Sequence, residues 1–307
     1  MIATLARGEG PGPVSAVAPL GVAELRIVTA TPPSVSEDTP GVVVWRDRHR
    51  VPVAFGLDAG AYSWLVVRGV GAYRFPRSPA DPNLVVVEVT PEPGVSFEDL
   101  DDYFLRTVMP VAVQPHGFEA LHASAVAFEG IGVVVFCADS RTGKSTLAYA
   151  LAERGARQVA DDFVVFDPRT ASAFPVPFAP RLRRASAESL GAPRRGTVRA
   201  TSRGWSRRLD EALPIAAVFL LERGAPETQL QRVSGAEVLG RLLTDAFVDS
   251  INDPARKRTL VEAYLRLKAA APVFRLSFRD GLEELPRVCE HVENWASDRA
   301  LEAATRS

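Results

Sequence analysis

Lysine is nearly missing from this chain. Only three of the 36 basic residues are lysines, and Lys144 is the only one before position 257. Cysteine is equally scarce. Cys137 and Cys289 are too few for a disulfide framework and are expected as reduced, buried thiols. Long apolar runs are absent too: stretches such as 131–138 and 215–221 are far below the ~20 residues that span a bilayer. No continuous apolar core marks the first twenty residues as a secretion signal, so a cytoplasmic protein without a membrane partner is expected. Charge of one sign is not in excess either. With 36 basic and 37 acidic residues the net charge is −1, which gives no general attraction to nucleic acid, and none is expected as a partner.

Against that background, the one early lysine stands in Ala138-Asp139-Ser140-Arg141-Thr142-Gly143-Lys144-Ser145-Thr146. Arginine supplies positive charge nearly everywhere else, so position 144 calls for a compact ammonium that fits among phosphate oxygens where a planar guanidinium does not. The spacing is that of a phosphate-binding loop, Gly-x-x-x-x-Gly-Lys-Ser/Thr, with alanine at the first glycine position. The flanks suit it. Residues 131–137 read as a buried strand, and Leu147, Leu151 and intervening alanines continue at helical spacing to Gly155. A strand, a loop and a helix N-terminus surround an anion with backbone N–H groups. The expected nucleotide ligands are Asp139, Ser140, Arg141, Thr142, Gly143, Lys144, Ser145 and Thr146. Lys144 would reach the β/γ-phosphates of ATP, and the Ser145 hydroxyl would meet Mg²⁺. Ala138 is compatible with a negative φ, whereas Arg141 stands where glycine often eases close backbone approach.

Asp161 and Asp162 follow, bracketed by the apolar runs Val159-Ala160 and Phe163-Val164-Val165-Phe166. Phosphoryl transfer needs one carboxylate at the metal and one to accept the proton of the attacking hydroxyl. The alternative is an ordinary Asp-Asp surface turn. Ahead of the loop, residues 120–128 read as a strand turning through Glu129-Gly130 into the next, which would carry His122 toward the loop end of the sheet. A lone histidine is as often a hydrogen-bonded rim residue.

Taken together, the His122-to-Val126 run, the 138–145 loop and Val159-Ala160-Asp161-Asp162 resemble the C-terminal domain of the HPr serine kinase/phosphorylases and their smaller kinase-like relatives. The resemblance covers about residues 120–168, with weaker echoes at 214–223 and 233–237. It implies an α/β (α+β) fold: a phosphate-loop core with a mixed sheet, related to phosphoenolpyruvate carboxykinase. It further implies an ATP- and Mg²⁺-dependent kinase acting on a serine hydroxyl of a peptide or small protein. In that scheme Asp161 is the general base assisted by His122, Lys144 is catalytic, and Asp162 with Ser145 holds the metal. No Glu-x-Arg-Gly-Leu-Gly segment is present and Thr146 replaces an acidic residue, so the resemblance does not extend to phosphorylase activity. In this the chain is more similar to the kinases of lasso-peptide precursors. Two other readings stay open: a non-catalytic nucleotide-binding regulator, and a small-molecule kinase. A homo-oligomer is also compatible.

Residues 1–22 read as a disordered Pro/Gly-rich leader, 23–115 as a small β-rich domain and 116–307 as the phosphate-loop domain. Ser96 is the expected N-cap of a helix through Leu105. Between 181 and 208 lie nine arginines and one acid, Glu188, expected as a mobile basic loop and as either a solvated face or a cationic lid. Trp205 is its lone aromatic, which argues against a nucleic-acid surface. His49 and His116 are expected as solvated turn residues.

Overall fold

The computed structural model describes residues 4–5, 14–18, 21–28, 43–46, 52–57, 62–81, 84–175, 182, 184–191, 212–247 and 253–305. Arg181, Arg183, the stretch 192–208 with Trp205, and His49 lie outside them, as does most of the expected mobile basic loop, whose described part Arg184–Ser189 is helical. Two compact units are present, Met1–Glu119 with Phe247–Leu260, and Ala120–Ala246 with Val261–Ser307. Each contains a mixed sheet and helices.

The first unit is built on eight strands: β1 Thr4–Leu5, β2 Val14–Ala18, β3 Gly21–Ile27, β4 Val43–Arg46, β5 Pro52–Leu57, β6 Tyr62–Val67, β7 Gly71–Pro76 and β8 Leu84–Pro91. Their order is β1-β2-β3-β8-β7-β6-β5-β4, antiparallel except for the β3–β8 pair. Alternation drives it: in β8, Val85, Val87 and Val89 are buried while Val86, Glu88 and Thr90 are half-exposed. The expected leader therefore contributes strands. Val14–Ala18 is apolar but for Ser15, a short run that the Pro/Gly composition around it obscured.

Ser96 caps α1, Phe97–Tyr103, by accepting the Asp99 N–H at 3.1 Å. Where the helix was expected to stop at Leu105, the chain passes through a π-helical turn, Phe104–Val108, into α2, Met109–Ala112. Pro110 lacks an N–H and its ring crowds the carbonyl four residues back, and the wider turn accommodates both. The segment Phe247–Leu260 belongs here rather than to the second unit. Arg256 forks onto the buried Glu119 at 2.7 and 2.8 Å, and Gln114 donates to the Phe247 carbonyl at 2.8 Å.

The remaining elements are β9 Glu119–Leu121, β10 Ala123–Phe128, β11 Gly132–Cys137, α3 Lys144–Glu153, β12 Arg157–Ala160, β13 Val164–Asp167, β14 Ser172–Phe174, α4 Arg184–Ser189, β15 Leu213–Arg223, β16 Gln229–Val233, α5 Ala236–Thr244, α6 Pro254–Ala270, β17 Val273–Phe278 and α7 Leu285–Thr305. The second sheet runs β12-β10-β11-β15-β14-β13-β9, with β17 also on β15 and β16 on β17. β10 and β11 form the expected hairpin, and β11, β15 and β17 are parallel. Every residue of β11 is buried, as its unbroken apolar run requires. Against this sheet α3 and α7 pack an aromatic core in which Phe219 meets Phe136, Phe274 and Trp295 edge-on at 5.9, 5.5 and 5.2 Å. Among the described residues no helix is long and apolar enough to cross a membrane.

Candidate functional site

Strand register brings the sequence-predicted residues to one end of the second sheet. Ala123 pairs with Cys137, so His122 precedes β10 at the level where the 138–143 loop leaves β11. Ala125 pairs with Ala160, so Asp161 emerges opposite Ser124. The Ser124 hydroxyl donates to Asp161 Oδ1 at 2.7 Å, and both residues are fully buried. β15 runs parallel to β11 with Leu220 opposite Cys137, which delivers Arg223 to the same end. Carboxyl ends of parallel strands are where α/β sheets bind ligands.

The loop itself exposes Asp139, Ser140 and Arg141, with Thr142, Gly143, Ser145 and Thr146 half-buried. Gly143 takes φ 114° and hands the chain into α3. Ala138 is buried and keeps a negative φ, whereas Arg141 sits at φ 79°, in the left-handed region that glycine occupies without strain. Replacing Arg141 by glycine removes that strain but loosens the unfolded chain. The net expectation is a gain of about 0.5–1 kcal/mol, read as a higher midpoint in thermal unfolding.

Lys144 opens α3 and is buried. Its ammonium donates to the Ala138 carbonyl at 2.8 Å, the one hydrogen bond it makes among the described residues, leaving two N–H donors for a ligand. Burial lowers its pKa from the ordinary lysine value, opposed by the nearby Asp245, Cys137, Asp161 and Asp162. The Thr146 hydroxyl reaches Ser186 of α4 at 3.0 Å instead of facing the loop. Asp162, half-buried, holds φ 67°. A non-glycine residue kept there stores local strain, a common mark of functional positions.

Four residues outside the sequence-predicted set complete the cluster. Arg223 Nε donates to the Thr142 carbonyl at 2.7 Å and fixes the loop backbone. Arg241, in the last turn of α5, places Nη2 2.9 Å from Asp139 Oδ1. Asp245 caps that helix: its backbone carbonyl accepts the His122 N–H at 2.6 Å, while its side-chain Oδ2 is buried without a hydrogen-bond partner among the described residues. Burial first, with Asp139 adding, pushes the Asp245 carboxyl up to about 6 against the pull of Arg241 and Lys144. Ser124 is the fourth, through Asp161. Signals for them existed: Ser124 lies two residues beyond His122, and Asp245 is an acid at a helix C-terminus, where the helix dipole disfavours it.

No protein-family model matches the chain. No curated protein matches it either. Among solved structures it is similar to the HPr(Ser) kinase/phosphatase from Coxiella burnetii, at 11% identity and a TM-score of 0.32, over 61% of this chain and 96% of that one.

Proposed function

We propose that this protein is a P-loop kinase that binds ATP with Mg²⁺ and transfers the γ-phosphate to a serine hydroxyl of a peptide or small protein. The observation that carries the reading is the buried Lys144 ammonium, set at a loop-to-helix junction with two donors unused among the described residues. A buried cation without a matching carboxylate contact is costly unless an anion completes it. The exposed loop amides and the N-terminus of α3 suit a phosphate.

Mg²⁺ keeps several waters and takes few protein oxygens beside phosphate, so Ser145 and the strained Asp162 form a sufficient donor set. When bound, the ion would neutralise charge on the transferring phosphoryl group. The chain's own work is then division of labour. Lys144 and the loop hold the phosphates, Arg223 keeps the loop in shape, Asp161 accepts the acceptor's proton with Ser124 orienting it, and His122 stands at the strand end beside them. The Asp161-Asp162 pair, buried and half-buried at one strand end, supports this over a surface turn.

Thermal unfolding of the wild type and Lys144→Ala, each with and without Mg-ATP, tests the reading. Ligand at a hundred times its Kd should stabilise the wild type by about 2.7 kcal/mol and the variant by none. A wild type that takes up no nucleotide refutes the proposal.

A further inference from the structure

We propose that Arg241 is a ligand of the terminal phosphate and the residue by which the site tells a nucleoside triphosphate from a diphosphate, an inference that rests on the nucleotide reading above. In the structure its guanidinium is held by two acids. Nη2 lies 2.9 Å from Asp139 Oδ1 on the loop, and Nε lies 3.8 Å from Asp245 Oδ2 behind it. Lys144 in turn donates to the Ala138 carbonyl, one residue before Asp139, so the two cations engage adjacent residues of the same loop. In this motif the lysine reaches the β/γ end of the chain of phosphates.

The contact with Asp139 is of a kind that gives way. The Asp139 side chain is 78% exposed and Arg241 is 30% exposed, and exposed ion pairs contribute little. A phosphate carries more charge and offers a guanidinium two parallel acceptors, a stronger pairing. The incoming phosphate would also repel Asp139, which can turn into water. Arg241 keeps N–H donors with no partner among the described residues, whereas Arg223 is engaged with the Thr142 carbonyl and sits 3.2 Å from where a Cβ on Gly143 would stand. Arg223 is a clamp on the loop; Arg241 is the arginine able to change partners. Arginine supplied beside a transferring phosphoryl group is a recurrent device of such sites.

The test compares Mg-ATP and Mg-ADP affinities by calorimetry in the wild type, Arg241→Ala, Arg241→Lys and Asp139→Asn. Arg241→Ala should lose about 10- to 100-fold in ATP affinity with ADP affinity held within about threefold, matching one or two charge-assisted hydrogen bonds. Arg241→Lys should fall between, and Asp139→Asn, which keeps the loop's backbone N–H but frees the guanidinium, should bind ATP more tightly. Equal losses for both nucleotides, or Asp139→Asn copying Arg241→Ala, would overturn the inference and make the pair a structural staple. A wild type that binds neither nucleotide removes the nucleotide reading itself, and this inference with it.

Discussion

Replacing Asp161 by asparagine is expected to lower phosphoryl transfer to serine-containing peptides by about 10²- to 10⁴-fold while leaving Mg-ATP affinity close to the wild type. That range is what a positioned proton acceptor contributes. The two effects separate because Asp161 is on β12's exit and not on the loop that would hold the phosphates. Its carboxylate is fully buried and oriented by the Ser124 hydroxyl at 2.7 Å, so asparagine fits the same space but cannot take a proton. Ser124→Ala should cost less, since it removes an orienting hydrogen bond and not the acceptor. Transfer is read as label from [γ-³²P]ATP on the peptide, and affinity by titration. Full transfer by Asp161→Asn would remove the base assignment. Loss of ATP binding alongside transfer would instead mean that Asp161 supports the loop.

The parts of this molecule that sequence made legible are those governed by local periodicity. An unbroken apolar run announced β11, and the Lys144 spacing announced the junction into α3. What stayed hidden depends on pairing between distant segments. β7 and β16 carry mixed polar and apolar residues, and they become strands because β6, β8 and β17 offer partners. The return of Phe247–Leu260 to the first unit rests on Arg256 reaching Glu119, 137 positions away. The site divides the same way. His122, Lys144, Asp161 and Asp162 were visible because they lie in short motifs beside strand ends. Arg223, Arg241 and Asp245 were not, because parallel pairing of β11 with β15 and the packing of α5 deliver them from 80 to 100 residues downstream.

Asp245→Asn is expected to stabilise the protein by about 2–3 kcal/mol at pH 7.5 and to give no gain at pH 4. The usual aspartate value is 3.8, and burial raises this one to about 6 in the folded chain. Between those values the folded state holds the proton that the unfolded state has released. Stability therefore falls as pH rises from about 4 to about 6, and the full deficit persists above that, at about 1.4 kcal/mol per pH unit of displacement. Asparagine is neutral at every pH and escapes it. The cause is visible in the packing, where Oδ2 is buried with no hydrogen-bond donor among the described residues and Arg241 Nε stands off at 3.8 Å. A destabilising carboxylate at the proposed nucleotide site fits a trade of stability for function. Removing it should leave Lys144 and Arg241 with less negative charge to share, so Mg-ATP affinity should rise, not fall. Unfolding midpoints at the two pH values and one titration decide it. A variant less stable at pH 7.5 would show that attraction to Lys144 and Arg241 outweighs the cost of burial, making Asp245 a structural counter-ion of the loop.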